Sequence, residues 1–92
     1  MKSLDKIKDL ISEGASEEAI KELNSLIEDS TFEPKDEVYY LRGNAYRKHG
    51  DWQQALNNYQ LAIDLNPDSP AATARQMVVD ILNFYDTRVY NQ

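Results

Sequence analysis

Apolar residues recur along this chain at spacings of three and four, the period of an amphipathic helix, and nowhere do they alternate as a half-buried strand would. Leu4, Ile7, Leu10 and Ile11 form the first stripe, and Gly14 comes next as a stop signal. Ser16 reads as the N-cap of a second helix, with Glu17 and Glu18 in the first turn, where the helix dipole favours negative charge. Its stripe is Ala19, Ile20, Leu23, Leu26 and Ile27, interrupted by the polar run Asp29-Ser30-Thr31. A third helix is predicted from about Lys35 to Lys48, entered after Pro34 and stopped by Gly50. Asp51 caps a fourth, whose inner face is Ala55, Leu56, Tyr59, Ala62 and Ile63. Asn66-Pro67 closes it, because the residue before a proline disfavours the helical region. Ser69-Pro70 opens a fifth helix with the stripe Ala74, Met77, Val78, Ile81, Leu82 and Tyr85. Five helices on short connections predict an all-α domain.

The pattern also repeats. Gly14 recurs as Gly50, Ala19 as Ala55, Ile20 as Leu56, Leu23 as Tyr59 and Ile27 as Ile63, every pair 36 apart. Two antiparallel helices per unit at such a period predict a helical-repeat solenoid. Residues 35–68 carry a more specific run: Tyr39-x2-Arg42-Gly43-x2-Tyr46, then Ala55-x3-Tyr59, then Ala62 and Pro67. It resembles the tetratricopeptide repeat (TPR), whose pattern is aromatic-x2-Leu-Gly-x2-Tyr, then Ala-x3-aromatic, then Ala and Pro, with Arg42 standing where the leucine belongs. The packing logic is a close approach of two helices at Gly43 and Ala55, with Tyr39, Tyr46 and Tyr59 filling the space around it.

Residues 1–34 are similar to a degenerate repeat that keeps Gly14 and Ala19, replaces the aromatics with leucine and isoleucine, and is two residues longer at its exit. Residues 69–86 align with the start of a third repeat at a step of 35, Tyr39 falling on Ala74 and Gly43 on Val78. They read as a capping helix over the open end of the stack, with 87–92 as a tail. The expectation is therefore one all-α domain: a solenoid of two antiparallel helix pairs (TPR-like) plus a C-terminal capping helix.

Composition narrows what such a domain does. Ninety-two residues, 41% of them hydrophobic, allow one small core and no second domain. Ten basic residues against 16 acidic ones give a net charge of -6, a surface that a phosphate backbone repels, so nucleic acid is not an expected partner. The absence of cysteine excludes disulfides, thiolate zinc sites and cysteine nucleophiles. Apolar runs of no more than about four residues argue against a membrane span or signal peptide, which makes the cytoplasm the expected compartment. His49 lies in the turn Lys48-His49-Gly50-Asp51, where a general base would find neither partner nor pocket. The pairs Asp5/Asp9 and Glu18/Glu22 read as solvated helix faces rather than metal ligands. No calcium loop, phosphate-binding glycine loop or His-Glu-x-x-His motif occurs. No enzyme activity, cofactor or metal is expected.

The resemblance implies a protein-binding adaptor or scaffold whose concave groove is lined by the first helix of each pair. Carried onto this chain, that face is Lys8, Ser12, Glu37, Tyr40, Leu41, Asn44, Arg47 and Lys48, continued on the capping helix by Arg75, Gln76, Val79 and Asn83. It holds four basic residues and one acidic one, whereas Glu17, Glu18, Glu22, Glu28 and Asp29 gather the acid elsewhere. Such asymmetry points to an acidic protein or peptide partner. One subset of the family grips a carboxyl terminus with a clamp of Lys, Asn and Arg; Asn44 matches its asparagine, but Tyr40 stands in the place of its lysine. The rival expectation is a homodimer through the fifth helix, where Val79 and Phe84 flank the main stripe, unless Val89 and Tyr90 fold back over Phe84.

Overall fold

The computed structural model describes residues 4–90, and the side chains of residues 4–85. Five helices run in order: α1 Leu4–Ser12, α2 Ser16–Glu28, α3 Lys35–Lys48, α4 Trp52–Leu65 and α5 Ala71–Tyr90. Among the described residues there is no strand. Each helix packs on the next, and α1 also meets α3. Helices α1, α3 and α5 thus form one layer, and α2 and α4 the other, the two-layer solution that amphipathic stripes require.

The two turns inside the helix pairs are built alike. Gly14 and Gly50 both take φ +86°, a left-handed conformation that a side chain would strain. The amide of Ala15 donates to the Leu10 carbonyl at 2.8 Å, and that of Asp51 to Tyr46 at 2.9 Å, satisfying carbonyls left open at each helix end. The starts of the second helices differ. Asp51 caps α4 by accepting from the Gln54 amide at 3.1 Å. Ser16 is not a cap: it is the first helical residue of α2, buried, and Ala15 occupies the cap position without a side-chain bond. At the other end of α2, Lys35 Nζ reaches back to donate to the carbonyls of Leu26 and Asp29, so a lysine from α3 closes the exit of the longer first unit. Ser69 Oγ accepts from the Ala71 amide at 3.1 Å, and α5 starts at Ala71, one residue after Pro70. α5 continues to Tyr90 rather than ending at residue 86, since Asp86 to Val89 includes neither glycine nor proline to stop it.

Two hydrophobic clusters fill the layers. Ile7, Ile11, Ala19, Leu23, Leu26, Val38, Leu41 and Ala45 make an aliphatic core between α1, α2 and α3. Ala55, Tyr59, Ala62, Ala71 and Val78 make a second between α4 and its neighbours, ringed by Tyr39, Tyr46 and Trp52. Tyr40 packs against both. Arg42 does more than edge the helix contact: its Nε donates to Asn58 Oδ1 at 2.7 Å, its Nη1 to Asn24 Oδ1 at 2.8 Å, and its guanidinium lies 5.5 Å from the centre of the Tyr39 ring. It ties α2, α3 and α4 together, and Asn58, fully buried, completes its own bonding through the Gln54 carbonyl at 2.8 Å. A leucine could not make these bonds.

Candidate functional site

The layer of first helices presents a concave face. On it, residues at i, i+4 and i+7 of each helix point the same way: Leu4, Lys8 and Ile11 on α1, then Tyr40, Asn44 and Arg47 on α3, then Met77, Ile81 and Phe84 on α5. The α3 set forms a ridge between two hollows. A cavity of about 380 Å³ lies on the α1 side, lined by Lys8, Ile11 and Ser12 together with Tyr40, Leu41, Asn44, Arg47 and Lys48. One of about 370 Å³ lies on the α5 side, where Tyr40, Asn44 and Arg47 face Pro70, Thr73, Ala74, Met77, Val78 and Ile81. A third, of about 330 Å³, extends from Tyr40 towards Asp36, Glu37 and Ser69.

Most of the expected groove is therefore assembled on one face: Lys8, Glu37, Tyr40, Asn44, Arg47 and Lys48 all border these hollows. Leu41 borders one too, but it is 3% exposed and belongs chiefly to the aliphatic core. Arg75, Gln76 and Val79 line none of the three hollows. The expected register of α5 was wrong by two residues, which turns a helix by about 200°. Aligning Gly43 with Val78 assumed that Val78 meets a following helix. Val78 is buried on α4, the preceding helix, so it takes the place of an α3 residue buried on α2, as Leu41 is, and a step of 37 matches the two faces where 35 does not. At that step Tyr40 corresponds to Met77, Asn44 to Ile81 and Arg47 to Phe84. The α5 wall is thus apolar and open to solvent, with Met77 56%, Ile81 37% and Phe84 57% exposed.

Helix geometry separates the two residues expected at a dimer contact. Val79 is half-buried and lies about 140° around α5 from Phe84, so one flat contact cannot use both. Phe84 instead meets Tyr85 edge-on at 5.9 Å. The fold-back of Val89 and Tyr90 concerns side chains outside those described.

Charge on this face is more balanced than the expected four to one. Arg75 is off it, Asp36 joins it, and Lys8 is paired with Glu37 at 3.4 Å. The cations of this face without a carboxylate partner among the described residues are Arg47 and Lys48. Both sit in the last turn of α3, where the helix dipole favours positive charge.

Tyr59 was expected only as core. Its ring is fully buried against Gly43, where an added Cβ would come within 2.5 Å of the ring, and it lies 6.1 Å from the Tyr40 ring. Its hydroxyl, however, reaches through the helix layer to the groove. It donates to Asn44 Oδ1 at 2.6 Å and accepts from Arg47 Nε at 3.2 Å. Arg47 can only donate, so the hydroxyl proton is free for Asn44, and the reverse amide orientation would leave a buried O–H without an acceptor, at about 1–3 kcal/mol. Burial raises the Tyr59 pKa above its ordinary value, opposed by the Arg47 hydrogen bond and charge, so the hydroxyl stays a donor at neutral pH. The signal for this role was the choice of Tyr over Phe at a core position, because a buried phenol needs a partner.

No cluster of three or more metal-ligating side chains occurs among the described residues, and no helix there is long and apolar enough to cross a membrane. His49 borders a shallow hollow with Gly14 to Glu18, away from the groove.

Comparison with known proteins agrees with this architecture. The tetratricopeptide repeat family model matches residues 36–69. A Bacteroides fragilis protein solved in solution by NMR is 60% identical, with a TM-score of 0.85 over 100% of this chain and 92% of that one. The probable biofilm formation methyltransferase WspC of Pseudomonas putida is 40% identical over 63 residues, 68% of this chain but 14% of its own length.

Proposed function

Because the chain belongs to the tetratricopeptide repeat family, we propose that it is a non-enzymatic interaction module that holds an extended segment of a partner protein across α1, α3 and α5. The observation that carries this reading is the pair of hollows meeting at the Tyr40–Asn44–Arg47 ridge, one walled by exposed Met77 and Ile81. An open groove with an apolar wall and a few convergent polar groups suits peptide recognition better than chemistry, which needs a pocket closed to water. The methyltransferase named for the Pseudomonas relative is matched over 14% of its length, so its catalytic name does not transfer.

The test is a display selection of peptides on the wild-type chain, followed by affinities for Tyr40→Ala and Met77→Glu. Both positions border the groove, and Met77 is exposed enough to accept a charge without disturbing the core. Peptides that bind the wild type should lose on the order of tenfold or more on either variant. Unchanged affinity on both would remove the groove as the binding surface.

A second reading, self-association through α5, is favoured by the exposure of Phe84 (57%) and Tyr85 (61%) at one end of the molecule. Sedimentation equilibrium decides it: a dimer that Phe84→Glu dissociates supports this reading, and a monomer at all concentrations ends it.

A further inference from the structure

We propose that Asn44 and Arg47, on the ridge of the groove, present chiefly hydrogen-bond donors, that they select a partner segment with an acidic side chain between apolar ones, and that Tyr59 is the positioning residue that sets this polarity. The inference rests on the groove reading and goes beyond it by naming the ligand chemistry and a residue that no ligand touches.

The polarity originates at the Tyr59 hydroxyl, which occupies Asn44 Oδ1 and Arg47 Nε at once. What these two side chains still offer is chiefly Asn44 Nδ2 and the Arg47 terminal nitrogens, donors without a partner among the described residues, beside one remaining lone pair on Asn44 Oδ1. No buried side-chain polar atom lacks a bond there, so these N–H groups are open to solvent rather than orphaned. A carboxylate is the acceptor that matches a cation beside an amide N–H, and charge-assisted bonds are the stronger kind. The hollows on both sides of the ridge place the acid inside the segment rather than at its end: the chain continues towards Ile11 on one side and Met77 and Ile81 on the other. Those flanks call for apolar neighbours.

The probes are two synthetic extended peptides, blocked at both ends, with a central Asp or its Asn twin between leucines, titrated by amide chemical shifts and fluorescence anisotropy. Wild type should prefer the Asp peptide by on the order of tenfold. Tyr59→Phe keeps the ring but frees Asn44 and Arg47, and should bring the ratio to about twofold while both peptides still bind. Asn44→Asp keeps an acceptor for the Tyr59 hydroxyl but puts a carboxylate on the ridge, and should reverse the preference. A wild-type ratio near one, or a Tyr59→Phe ratio as high as wild type, overturns this inference and leaves the groove reading standing. Stronger binding of a peptide whose acid is a free C-terminus overturns the internal placement. If neither peptide shifts any groove resonance of the wild type, this inference fails, and the groove reading fails with it only if display-selected peptides also bind Tyr40→Ala and Met77→Glu unchanged.

Discussion

The two helix pairs share a turn but not a seam. Gly14 and Gly50 take the same φ, and the bonds closing α1 and α3 match partner for partner at a step of 36. At that step Gly43 and Tyr59 of the second pair correspond to Ile7 and Leu23 of the first, all four buried. One seam meets aliphatic on aliphatic, the other a glycine against a phenol. Both fill space, as close packing demands. Only the second puts a hydroxyl at the groove, and only the second has polar groove residues tied from behind. Lys8, the counterpart of Asn44, is instead held by a half-exposed ion pair to Glu37, a weaker constraint. Bulk moved from the first helix to the second is what brings a buried hydroxyl up to Asn44 and Arg47.

The largest effect should come from restoring bulk to the glycine. Gly43→Ala places a Cβ within 2.5 Å of the Tyr59 ring and should cost about 2–3 kcal/mol in chemical denaturation despite the better helix propensity of alanine. In a Tyr59→Leu background, which imitates the first pair, most of that cost should vanish, and equal costs in both backgrounds would break the comparison. Arg42→Leu, which restores the family pattern, should destabilise by about 1–2 kcal/mol because buried Asn58 Oδ1 loses its donor. Tyr59→Phe should cost about 1 kcal/mol at neutral pH. The Tyr59 pKa is raised in the folded chain, so wild-type stability holds below about pH 10 and declines as pH rises through the folded pKa; the variant should lack that alkaline component. The smallest effect tests the missing cap: Ala15→Asp, which copies Asp51, should add about 0.5 kcal/mol to thermal stability.

Much of the fold was legible because its determinants are local. A 3.6-residue stripe and a glycine that alone tolerates φ +86° mark helices and turns without knowledge of neighbours. The register of α5 was not legible, because hydropathy does not distinguish an apolar residue facing a core from one facing a groove. Met77 and Ile81 were read with Val78 and Leu82 as one packing stripe, yet the first two are open and the last two pack on the second cluster. Arg42 looked like a defect in a pattern until Asn58 and Asn24 supplied its acceptors. An asparagine between Ala55 and Ala62, on an otherwise apolar face, was the cue. On α3 the positions of the ridge came from the resemblance to the family, while the hydroxyl behind it belongs to a residue 15 positions away from Asn44.

The most direct test of peptide binding across the ridge is a set of isotope-filtered NOEs between a display-selected peptide and the methyl groups of the labelled chain. Contacts to Ile11 on one side and to Met77 and Ile81 on the other are predicted, from a single bound segment. Contacts confined to the exposed Leu61 and Leu65 of α4 would contradict the account.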